Sequence, residues 1–75
     1  MNFLETSILR VIPGITEADK AKLIETLENT GVQEEGDLAF LEEKDLVPQI
    51  KIIMARRLVS AWKDDGKYIF VIWNE

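Results

Sequence analysis

The chain of 75 residues is 47% apolar and 31% charged, has a formal net charge of −5, and contains neither Cys nor His. That length supports one core and no second domain. The missing residue types exclude disulfides, thiolate nucleophiles, zinc–thiolate sites and imidazole acid–base chemistry.

The charge is uneven along the chain. Residues 1–45 hold 11 acids and 4 bases, whereas residues 46–75 hold 3 acids and 5 bases. The total argues against a general nucleic-acid binder, and the asymmetry predicts two faces of opposite sign. The apolar runs are far shorter than the ~20 residues that span a bilayer. Met1 to Glu5 lack the basic and long apolar regions of a secretory signal, so a cytoplasmic or nuclear location is expected.

Asn2 and Glu5 fit a capping pair, and Leu4, Ile8, Leu9 and Ile12 recur at helical spacing, which predicts a first helix near residues 3–11. Pro13-Gly14 ends it. Thr16 is a hydroxyl cap followed by Glu17 and Asp19, acids that face the positive end of a helix dipole. The stripe Ala21, Leu23, Ile24, Leu27 and a closing Gly31 predict a second helix over 17–30.

Residues 32–48 are denser. Asp37 is expected to cap a short helix that turns Leu38 and Leu41 inward, and a second short helix is expected from about Glu42, carrying Leu46. Pro48 suits the first turn of the longest helix, from Gln49 to about Lys63. Its inward stripe reads Ile50, Ile53, Met54, Leu58, Ala61 and Trp62. Asp64-Asp65-Gly66 closes it. The remaining Tyr68, Ile69, Phe70, Val71, Ile72 and Trp73 are β-branched or aromatic and predict a strand-like tail. The chain thus divides into a helical domain over 1–65 and an apolar tail over 66–75. Six apolar residues without a charge, Pro or Gly form an aggregation-prone segment unless protein covers them. Its own helices, a second chain or other protein could supply that cover, and a strand would most simply pair antiparallel with the same segment of a second chain.

Five helices, two of them short and set between a middle-length and a long one, resemble the sterile alpha motif (SAM) domain. Leu38-Ala39-Phe40-Leu41-Glu42-Glu43-Lys44-Asp45-Leu46 is similar, without a gap, to that family's Leu-Leu-x-Leu-Thr-Glu-Glu-Asp-Leu stretch. Arg56-Arg57-Leu58-Val59-Ser60-Ala61-Trp62 resembles the basic and aliphatic run of its last helix. The likeness covers residues 16–63. It implies an all-α, five-helix SAM-like bundle that binds protein, either itself or another SAM-type domain.

The resemblance also assigns the faces. The family's mid-loop surface falls on Glu34, Glu35, Asp37, Glu42, Glu43 and Asp45, and its partner surface on Gln49, Lys51, Ile52 and Arg56. Head-to-tail pairing of such faces yields a homo-oligomer, open-ended unless the rotation closes. The plainer reading of the acids is a solvated face that keeps the protein soluble.

No enzyme, metal or cofactor is expected. Pairs such as Glu42 and Asp45 carry no sign of the burial that tunes a carboxylate for catalysis, and the spacing of a calcium loop is absent. The alternative function is a helical nucleic-acid-binding module using Lys51, Arg56, Arg57 and Lys63. Four bases on one helix, with acids nearby, make duplex binding weak.

Overall fold

Among the described residues three α-helices and two short 3-10 helices follow one another: α1 (Phe3–Val11), α2 (Glu17–Thr30), η1 (Glu35–Phe40), η2 (Glu43–Asp45) and α3 (Ile52–Trp73). The fold is all-α. The computed structural model describes residues 3–73, and their side chains as far as Asp65. The expected Asn2 cap lies outside the described residues.

Each boundary has a local cause. The Thr16 hydroxyl accepts the Asp19 N–H at 3.1 Å and starts α2. At the other end Gly31 adopts φ 112°, which a side chain would disfavour. There the Val32 N–H reaches the Leu27 carbonyl (3.1 Å) and the Gly31 N–H the Glu28 carbonyl (3.2 Å), closing a Schellman motif. Its usual apolar contact joins Leu27 and Val32, and both are buried in the core.

The two 3-10 helices begin alike. Asp37 does not cap η1 from in front. It occupies the third helical position and accepts the N–H groups of Gln33 and Glu34 at 3.0 and 3.1 Å. Asp45 does the same for Glu42 at 2.8 Å. Acids at these positions satisfy donors that a helix start leaves unpaired.

The core draws on α1, α2, η1 and α3, and Leu46 enters it just after η2. Leu27, Leu41, Leu46, Leu58 and Trp62 are buried together with Leu4, Ile8, Leu23 and Leu38. Segments as short as η1 and η2 do not stand alone in water. Here they are held by α3, which packs against both. Two ion pairs tie α1 to its neighbours: Lys20 of α2 donates to Glu5 at 3.0 Å, and Arg10 pairs with Asp65 of α3. Hydrogen bonds to Glu5 and then Glu17 hold the Lys20 ammonium pKa above its ordinary 10.5.

Three expectations are corrected. The last helix starts at Ile52 rather than Gln49, because residues 46–50 form turns ahead of it. Ile50 is buried from that turn, ahead of the helix. The true inward stripe of α3 is Ala55, Leu58, Val59 and Trp62, spaced at three and four residues, while Ile53 is 60% exposed. On α2, Ala21 is likewise exposed, and Leu23 and Leu27 carry the packing.

The largest correction concerns the tail. Tyr68, Ile69, Phe70, Val71, Ile72 and Trp73 continue α3 to its end and form no strand. β-propensity expresses a fit to a pleated, half-buried surface, and the described residues offer no sheet to join. A helix already nucleated over 52–65 needs only one more hydrogen bond per added residue, which favours its continuation. Coverage of these side chains by protein lies outside what the structure describes.

Candidate interaction surfaces

The acidic residues come from the segment that links α2 to α3, and short-range bonding spaces them. Asp37 and Asp45 turn inward to the chain's own N–H groups and are half-buried. Glu34, Glu35 and Glu42 are exposed, and Lys44 reaches Glu42 at 3.3 Å. Two of the six acids therefore build the loop, Glu34, Glu35 and Glu42 present charge to solvent, and Glu43 is half-buried.

Among them stands Phe40, 83% exposed. It shares a surface depression with Asp37, Leu41 and Asp45. Sequence reasoning quoted Phe40 without giving it a role. The available signal was its place between Leu38 and Leu41, which both turn inward at a spacing of three and leave Phe40 pointing away.

The basic face is built on the first turns of α3. Lys51, Ile52, Arg56 and Arg57 are exposed, as is Gln49 in the preceding turn. The Gln49 amide donates to the Leu46 and Val47 carbonyls at 3.1 and 3.2 Å in the orientation that satisfies both. Ile52 and Ile53 are 46% and 60% exposed. On a helix, residues three and four apart share a face, so Arg56 lies beside both isoleucines.

The two faces meet at one point within the same molecule. The Arg56 Nε donates to both Glu43 carboxylate oxygens, at 3.2 and 3.1 Å. One designated base is thus occupied by one designated acid, across the junction of η2 and α3.

Among the described residues no group of three or more carboxylates could hold a metal ion, and no helix is long and apolar enough to cross a membrane. No protein-family model, curated protein or solved structure matches the chain.

Proposed function

We propose that this chain is a non-enzymatic, SAM-like protein-interaction module that associates head to tail with a second copy of itself or with a related domain. The observation that carries this reading is the pairing of exposed apolar side chains with opposite charge. Phe40 stands among acids, and Ile52 and Ile53 stand among bases. An exposed aromatic anchor with a charged rim is the usual anatomy of a binding surface. Charge complementarity sets register and encounter rate, and the apolar pair supplies affinity. Because the two patches differ, the contact is heterologous and propagates.

The test is mass in solution over a range of concentrations. Wild-type mass rises with concentration. Phe40→Ser and Ile53→Glu each abolish that growth, since each removes one patch from the surface without touching the core. A mixture of the two variants forms a dimer through the surviving patches and stops there. A wild-type chain that stays monomeric throughout, or variants that associate as the wild type does, would overturn the proposal.

A further inference from the structure

Arg56 uses one of its N–H donors within the chain and leaves the others over. Its Nε donates to both Glu43 oxygens, at 3.2 and 3.1 Å. Neither Nη group makes a hydrogen bond among the described residues, and the side chain is 59% exposed. A guanidinium carries its donors in one rigid plane, so fixing Nε also fixes the direction in which the Nη donors point.

Both ends of the contact are anchored. The Glu43 carbonyl accepts the N–H groups of Leu46 and Val47 at 3.0 and 3.3 Å, which fixes the backbone that carries its carboxylate. Arg56 follows the fully buried Ala55 near the start of α3. Lys51 and Arg57 are exposed in the same stretch, and neither pairs with an acid among the described residues. Of the bases on this face, Arg56 is the one held in place.

The held donors stand beside apolar surface. Ile52 and Ile53 precede Arg56 by four and three residues, share its side of the helix and are 46% and 60% exposed. On a second copy, Glu34, Glu35 and Glu42 are exposed in the segment that carries Phe40. Asp37 and Asp45 are taken up by backbone N–H groups, and Glu43 by Arg56. Charge complementarity therefore points to a second copy as the occupant, with an exposed glutamate on the Nη donors and Phe40 on the isoleucines.

We infer that Glu43 is a positioning residue of the basic face and no member of the acidic one: it orients Arg56 so that the free Nη donors grip a carboxylate of a second copy beside Ile52 and Ile53. This rests on the head-to-tail reading and assigns its charged contact to one oriented arginine. Orientation before binding lowers the entropy lost when a long side chain is immobilised at an interface. As a charge, Glu43 offsets Arg56 and weakens the basic face; as a positioning group, it strengthens that face. The two effects differ in sign and are separable.

The experiment is sedimentation of a pair of full-length variants between which one contact survives. Phe40→Ser keeps the basic face and Ile53→Glu keeps the acidic face, so their mixture forms a heterodimer with a single Kd. Glu43→Ala added to the Phe40→Ser chain is expected to raise that Kd about three- to tenfold. Added to the Ile53→Glu chain, it leaves the Kd unchanged, which also shows that the substitution does not disturb folding. Glu43→Gln in the Phe40→Ser chain keeps an acceptor for Nε without the charge and recovers most of the loss. Arg56→Ala in that chain weakens the pair, and adding Glu43→Ala weakens it no further. A loss that appears with Glu43→Ala in the Ile53→Glu chain returns Glu43 to the acidic face. A tighter or unchanged pair with Glu43→Ala in the Phe40→Ser chain, or equal losses with Ala and Gln, removes the positioning role. Each of these results overturns the inference and spares the head-to-tail reading. A mixture of Phe40→Ser and Ile53→Glu that forms no dimer overturns both.

Discussion

Arg56 and Glu43 are thirteen residues apart and form a two-oxygen contact from Nε, at 3.2 and 3.1 Å, that joins the start of α3 to η2. Their side chains are 59% and 37% exposed, so solvent screens the pair and it contributes on the order of 0.2–1 kcal/mol to the fold. Its importance lies in position, because it sets a base of one charged face beside an acid of the other. Reversing the Arg56 charge therefore has two effects, a small loss of stability within the chain and a loss of attraction toward a neighbour. The double exchange Arg56→Glu with Glu43→Arg separates them. Thermal unfolding is expected to show stability weakened in each single variant and recovered in the double. Sedimentation is expected to show association weakened in all three, because the exchange does not restore the sign of either face. Recovery of association in the double variant would assign Arg56 to intramolecular pairing alone.

Leu58 is fully buried, and truncating it leaves a void that neighbouring side chains fill only in part. Leu58→Ala is expected to cost about 2–5 kcal/mol in denaturant unfolding, a large share of the stability of so small a domain. Ile53→Ala, one and a half turns earlier on the exposed side of α3, is expected to stay within about 0.5 kcal/mol of wild type. Equal losses at the two positions would contradict the helical register.

The Lys20 pKa lies above its ordinary value of 10.5 in the folded chain, chiefly through hydrogen bonds to Glu5 and Glu17. A group whose pKa rises on folding binds its proton more tightly in the folded state. Its stabilising contribution is therefore fully present below the unfolded value and fades as pH climbs through the folded one. The stability difference between wild type and Lys20→Gln should hold steady from about pH 7 to about pH 9 and shrink above 10.5. A difference that instead grows in alkali would contradict the assigned contacts.

Ile69 lies within the final turns of α3. Proline there removes a helical hydrogen bond and clashes with the preceding turn. Far-UV circular dichroism of Ile69→Pro is expected to show less helical signal than wild type. An extended tail would leave that signal unchanged.

Much of the architecture was readable along the chain because its causes are local. Thr16, the Gly31 turn and the leucines of α2 mark a helix whose caps depend only on neighbouring residues. Leu38, Leu41 and Leu46 declared their burial by spacing, although Leu38 lies in a 3-10 helix and Leu41 and Leu46 are the residues that close η1 and η2. The two faces were legible as charge and not as anatomy. The acids could be listed from the sequence, but the inward turn of Asp37 and Asp45 depends on which N–H groups the folded loop brings within reach.

What the amino-acid sequence determined by itself was the all-α class, the limits of α1 and α2, and a composition without Cys or His. Periodicity, caps and side-chain chemistry act over a few residues and survive without knowledge of the fold. Tertiary structure alone decided where α3 begins, which of its apolar residues face the core, and the helical path of residues 66–73. Ala55, Leu58, Val59 and Trp62 recur at helical spacing along the chain, but so does a rival stripe through the more apolar Ile53 and Met54, and packing against η1 and η2 chose the first. Tyr68 to Trp73 have strand-forming side chains in a chain whose described residues form no sheet, and continuing an existing helix satisfies their backbone groups where a lone strand would not.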